Sequence, residues 1–246
     1  MAKGNSDLGE QALSKAVEMG LSTQLDSVES LEAEIRTNPG ALLQGEVESA
    51  DIQGQGLVIK GDLRTEELRV QTDGMAIDPI KAAFGNIELT RPTNAAMAAK
   101  LTEADIERAC NSDYIQQKLQ NLEVKLDDRP VQMKIQQVQV SLPGEGRVAI
   151  ATDILKLDSG EQQHVAFSAV PAVDAQGYQL MLNDVQMEPN NTSEPLTQSL
   201  LAAANDLLDL RQFSLSGMTF QVERIDVQKE HMTLQAKAHL KTFPGG

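Results

Sequence analysis

Three histidines, one cysteine and 36 carboxylates are the side chains of this 246-residue chain suited to acid–base, nucleophilic or metal chemistry. Their spacing supports none of these. His164, His231 and His239 form no H-x-x-x-H or H-E-x-x-H pattern, so no two can share a metal from one helix face. Each alternates with an apolar neighbour, Val165, Met232 or Leu240, and so maps to the wet face of its strand. Cys110 would need a positive environment and a base to act as a thiolate. The sequence nominates neither, and Cys110 reads as a small buried hydrophobe. Glu66-Glu67 and Asp127-Asp128 stand side by side, but strand neighbours point to opposite faces. No G-x-S-x-G elbow and no D-x-D-x-D-G calcium loop occurs. Gly54-Gln55-Gly56 lacks the third glycine of a dinucleotide fingerprint, because Ile59 stands there. These glycines read as a bulge or a close backbone approach. The expectation is a chain with no catalytic site, no metal and no cofactor.

Composition narrows the partners. The net charge is −15, from 21 basic and 36 acidic residues, and it repels phosphate backbones. Five Phe, two Tyr and no Trp cannot build a base-stacking platform, so nucleic acid is not an expected partner. A single Cys forms no internal disulfide. The start, MAKGNSDLGEQALSK, has no apolar core of a signal peptide. No run reaches the ~18 apolar residues of a membrane span. The expected location is therefore cytoplasmic or peripheral to a membrane. The acidic excess argues against electrostatic docking on anionic lipid, which leaves transient, hydrophobic bilayer contact.

The elements alternate in period. Leu8, Ala12, Leu13, Ala16, Val17 and Leu21 predict an amphipathic helix over 7–21 that packs on the domain. Leu31, Ala33 and Ile35 then alternate with charges as a half-buried strand, which Asn38-Pro39-Gly40 breaks. Strands follow at 47–52 and 57–59, parted by a glycine-marked bend, and then through Leu68-Val70 and 95–101. Short pieces lie at 75–77 and 87–89. Thr102-Glu103-Ala104-Asp105 caps a helix, and Asn111-Ser112-Asp113 starts another. Val131, Met133 and Ile135 alternate on odd positions, but Val138, Val140 and Leu142 on even ones, which predicts a bulge at 136–137. Turns at 143–146, 158–160 and 174–177 mark an antiparallel meander. The strongest helix is expected over 194–210, with Ser193 as its N-cap and a Leu-rich stripe. Two strands close the chain.

The fold class is α+β: a curved, mainly antiparallel sheet wrapped around one or two helices. Each strand has one polar face, so one side of the sheet is wet and the other must be covered. Helix 194–210 is the best candidate cover. The chain reads as a single domain over 1–246 with its core in 8–242.

The order of motifs resembles the DUF2993, or LmeA-like phospholipid-binding, family. Leu42-Leu43-Gln44-Gly45-Glu46-Val47, then Ile52, Gly54 and Gly56-Leu57-Val58, is similar to its N-terminal signature, and Leu63-Arg64 with Leu68 continues it. Arg91-Pro92-Thr93 and Leu101-Thr102-Glu103-Ala104-Asp105-Ile106 resemble its central helix entry. The resemblance covers about residues 8–242. It implies phospholipid binding, at the cell envelope in actinobacterial members, with further members in cyanobacteria and plastids. It implies a lipid-groove, TULIP-like architecture and no catalytic motif. The envelope members carry an export signal or anchor, and this chain shows neither.

An aliphatic groove between sheet and helix suits acyl chains, and the nine Met would make it adaptable. Its candidate lining is Leu196, Leu200, Ala203 and Leu207 from the helix, with Val131, Met133, Ile135, Val165, Phe167 and Leu180 from the strands. Lys60, Arg64 and Arg69 are the candidate head-group cations. The same residues could equally fill a closed core. The alternative function is a protein-interaction or assembly factor using the acidic sheet face or a strand edge. Oligomeric state is not encoded in any pattern here.

Overall fold

The computed structural model describes residues 8–59, 61–83, 87–120, 122–126, 129–188, 194–213 and 217–242. Helix α1 (Leu8–Ser22) leads into strand β1 (Ser30–Arg36), the short helix α2 (Pro39–Leu43) and strands β2 (Glu46–Val47) and β3 (Ser49–Ile59). Then come β4 (Leu63–Thr72), β5 (Met75–Ala76), α3 (Pro79–Ala83) and β6 (Thr93–Thr102). Helices α4 (Glu103–Cys110) and α5 (Asp113–Leu119) open the second half. It continues with β7 (Leu122–Leu126), β8 (Arg129–Gly144), β9 (Arg147–Lys156), β10 (Gln162–Val173) and β11 (Leu180–Met187). Helix α6 (Glu194–Leu207), β12 (Met218–Gln228) and β13 (His231–Leu240) complete it.

The strands form two main antiparallel sheets rather than one. A six-stranded sheet runs β1-β3-β4-β6-β13-β12, a five-stranded sheet runs β11-β10-β9-β8-β7, and β2 pairs with β5 as a small ribbon. One sheet is a strongly curled half-barrel. The curved-sheet α+β expectation therefore stands, but β13 returns from the far end of the chain to pair with β6 and carries β12 on its other side. No local pattern announces that closure.

Three local expectations change. Asn38-Pro39-Gly40 does more than end a strand: the Asn38 side chain accepts from Ala41 N at 2.8 Å, and Pro39 opens α2. Residues 49–59 are one strand, not two. Gly56 has φ +58°, and a side chain there would meet Glu29, so glycine lets the strand run on in one register with β4. The segment at 87–89 contributes only an isolated bridge, Leu89 to Ile77. The bulge predicted at 136–137 is present as a register shift between Ile135 and Val138.

Two hydrophobic clusters hold the chain. In the first, Leu13, Ala16 and Val17 of α1 pack on Ile35, Ala50, Ala95, Ala238 and Leu240 of the six-stranded sheet. In the second, Leu196 and Leu200 of α6 cover Met133, Ile154, Val165 and Phe167 of the five-stranded sheet, and Val227 of β12 joins them. The expected cover by the 194–210 helix is thus local to one sheet.

The helices also close the sheet edges. The outward N–H groups of Ala33, Ile35 and Thr37 on β1 donate to Glu18, Ser14 and Glu10 of α1 at 3.2, 3.1 and 2.9 Å. The same device recurs on β8. There Val138 and Val140 donate to Asn111 and Glu107 at 2.9 and 3.1 Å, and Leu142 donates to Glu103. Four residues of helix advance ~6 Å and two residues of strand ~6.7 Å. Acceptors at i, i+4 and i+8 therefore meet three successive outward donors. An orphaned N–H costs about 1–3 kcal/mol and an open edge invites foreign strands.

Glu107→Ala should lower the unfolding free energy by about 1–2 kcal/mol in urea titration, because Val140 loses its acceptor. Glu34→Ala, which removes an ion pair exposed at both ends, should shift it by less than about 0.5 kcal/mol.

Candidate functional site

The inner face of the six-stranded sheet is built from aligned aliphatic rows. One row crosses all six strands as Leu31, Gly54, Leu68, Ala99, Leu234 and Ile225. The next is Ala33, Ile52, Val70, Met97, Ala236 and Val222, and the third is Ile35, Ala50, Thr72, Ala95, Ala238 and Phe220. Alternation puts these side chains on one face and Glu32, Gln53, Arg69 and Lys237 on the other.

Burial falls from row to row. The third row is buried in the cluster that α1 shares with Val47, Met75, Ile77, Ile87 and Leu89, except for a half-buried Phe220. In the second row all but Val222 are half-buried, and in the first all but Gly54. Leu68, Ala99, Leu234 and Ala236 belong to neither core cluster. They form a half-buried aliphatic strip between the two. Ala99 and Ala236 are its small side chains, while Ala96 and Ala98 face the other side of β6.

The groove candidates read from the sequence meet elsewhere. Leu196, Leu200, Met133, Ile135, Val165 and Phe167 are buried together in the second cluster, and Val131 packs against it half-buried. These side chains fill the space between α6 and its sheet. Leu180 is half-buried at the start of β11 and is not part of that cluster. Ala203 and Leu207 lie on α6, but their side chains fall outside the described residues.

The three cation candidates do not converge. Lys60 lies outside the described residues. Arg69 is exposed on the outer face of β4. Arg64 is ion-paired with Asp105 at 2.8 Å, Glu66 at 2.7 Å and Glu29 at 3.0 Å. Asp105 is buried within the capping box of α4, where it accepts from the Thr102 N–H at 2.9 Å. Burial pushes its carboxyl up, but the Thr102 backbone and hydroxyl and the Arg64 guanidinium outweigh burial and hold it below the usual carboxylate range. Arg64 thereby joins β4 of one sheet to the helix that caps the edge of the other.

Chemistry is sparse around these surfaces. Burial, then the nearby Glu107 charge, pushes the Cys110 thiol up to about 11, so it is protonated at neutral pH. His164 pairs with Asp153 at 2.8 Å, and His239 with Asn94, on exposed strand positions. No group of three or more His, Cys, Asp or Glu among the described residues could hold a metal. No helix among them is long and apolar enough to cross a membrane.

A profile of LmeA-like phospholipid-binding proteins matches residues 4–237, nearly the whole chain. The chain belongs to the LmeA-like phospholipid-binding family. No curated protein sequence matches it. Sequence reading found the alternation of each strand but not the half-buried aliphatic row. Ala99 and Leu234 are neighbours only because β6 and β13 pair.

Asp105→Asn should destabilise this LmeA-like chain by about 2 kcal/mol at pH 7, since Asn keeps the cap but loses the charged partner of Arg64. The folded carboxyl titrates below the unfolded value of about 3.9, so its contribution is complete above that pH. It is lost as pH falls through the folded pKa. The gap between wild type and Asp105→Asn in urea titrations should therefore narrow below about pH 4.

Proposed function

We propose that this chain is a non-enzymatic lipid carrier that lays phospholipid acyl chains on the half-buried aliphatic strip of the six-stranded sheet. One observation carries the reading. An in-register row of aliphatic and glycine positions crosses all six strands and stays mostly half-buried, with Leu68, Ala99 and Leu234 in neither filled core. Five inter-strand spacings make it ~24 Å long. Each methylene moved from water onto such a surface contributes about 0.8 kcal/mol. Unbranched chains need no aromatic partner, which agrees with an aromatic content of 3%.

The α6 side is the less favourable place for a chain. Leu196, Leu200, Met133, Val165 and Phe167 would have to separate before one could enter, whereas the strip needs no such opening. The non-enzymatic part of the reading is supported by the chemistry near the strip. Its one described thiol is held protonated, and Arg64 is saturated by three carboxylates.

Native mass spectrometry after incubation with phosphatidylcholine tests this. Wild type should carry one or more phospholipid masses. Leu68→Asp combined with Leu234→Asp should lower the bound fraction about tenfold or more while the circular dichroism spectrum is kept. Retained lipid in that variant, with loss in Leu200→Ala instead, would move the site to the α6 side. No lipid on wild type would sink the carrier reading.

A further inference from the structure

Leu8, Leu43 and Ile80 are exposed at 81%, 82% and 72%, more than any other large hydrophobic residue described. They come from three separate helices, α1, α2 and α3, yet the fold brings those helices to one end of the molecule. A Cβ on Gly9 would stand 3.2 Å from Leu42, which joins the start of α1 to α2. A Cβ on Gly45 would meet the Ile77 carbonyl and stand 3.1 Å from Pro79, which joins the end of α2 to the start of α3. Between α1 and α2 lies an open pocket of about 240 Å³, lined by Gly9, Pro39, Leu42 and Leu43 among others.

We infer that this tip is the surface by which the protein inserts into the head-group and acyl boundary of a zwitterionic lipid bilayer. The inference rests on the lipid-carrier reading and adds to it the place of membrane contact.

Three properties select that occupant. The first is area. Three protruding aliphatic side chains offer roughly a few hundred Å², against about 800 Å² per partner in a stable protein interface. Insertion into lipid needs no complementary partner surface.

The second is charge. The charged groups around the tip are engaged within the protein. Lys81 pairs with Glu88 and Arg91 with Glu46, Asp78 caps α3 through the Ile80 and Lys81 N–H groups, and Glu10 accepts from Thr37. Among the described residues, Lys81 and Arg91 of the tip are thus paired with carboxylates, and the net charge of −15 opposes docking on anionic lipid.

The third is continuity. Leu42 and Ala82 behind the tip pack on the same buried cluster as Ile52, Val70 and Met97, which border the half-buried strip. One apolar core therefore backs both the tip and the proposed acyl site.

Flotation with phosphatidylcholine vesicles tests the inference. Wild type should float equally at roughly 0.05 M and 0.5 M salt, because insertion is not screened. The triple variant Leu8→Asp, Leu43→Asp, Ile80→Asp should float about tenfold less or worse. Leu157→Asp, at an exposed site beyond β9, should float like wild type. Asp at the start of α1 and α3 agrees with the helix dipole, and all three sites are exposed, so folding should be kept, as the circular dichroism spectrum checks.

Flotation of the triple variant at the wild-type level would overturn the inference. So would wild-type flotation that collapses at 0.5 M salt, or a wild-type dimer in solution that the triple variant dissolves. Phospholipid binding in native mass spectrometry separates the two readings. A triple variant that still takes up lipid in solution supports a tip distinct from the acyl site. A wild type that floats yet carries no lipid sinks the carrier reading and leaves the tip standing.

Discussion

Outward-facing N–H groups on open strand edges constrain this structure more than any other feature. Sheets of six and five strands have edges that neither closure nor further pairing removes. Here the answer is a helix laid beside the edge, whose side-chain oxygens accept from alternate strand residues. Glu10, Ser14 and Glu18 serve β1, and Glu103, Glu107 and Asn111 serve β8. The two helices run antiparallel to the strands they cap, with the same four-residue spacing. Each helix needs its strand's donors as much as the strand needs its acceptors, so the device sets where α1 and α4 lie.

The rest of the architecture follows from those two positions. Held at the β1 edge, α1 turns Leu13, Ala16 and Val17 onto one end of the aliphatic sheet face and buries the third row. Held at the β8 edge, α4 presents Asp105 to Arg64 of β4, so one buried ion pair spans from sheet to sheet. A buried pair of this kind contributes less to net stability than to geometry, since desolvation offsets much of its attraction. What remains between the two cores is sheet face that stays half-buried. The proposed acyl strip is that remainder.

Much of the fold was legible in the chain. The period of two in Leu31-Ala33-Ile35 and in Met232–Leu240, the Thr102 cap and the phase slip after Ile135 all reflect short-range rules, and short-range rules hold in the structure. The continuity of 49–59 was less legible, because glycine can mark a bend as well as a close approach within one strand. The site was the least legible part. Leu196, Leu200, Met133, Ile135, Val165 and Phe167 share the composition of a groove lining, yet they pack as a closed core. Composition states that a face is aliphatic and says nothing of whether another element covers it. Arg64 looked like a free cation for the same reason: its partners Asp105 and Glu29 lie 41 and 35 residues away.

By itself, the sequence determined the element types, the antiparallel one-faced strands, the aliphatic and chemically quiet character of the interior, and a family order that names phospholipid. These depend on residue type and on spacing within about ten positions. Tertiary structure alone decided that there are two sheets, that β6 and β13 become neighbours across the chain, and that the half-buried row runs through Leu68, Ala99 and Leu234. It also decided which cations are already spent on carboxylates, and that Leu8, Leu43 and Ile80 share one end. The physical reason is the same in each case. Exposure and pairing are properties of what lies opposite a residue in space, and in a fold dominated by long-range strand pairing the residue opposite is far away in the chain.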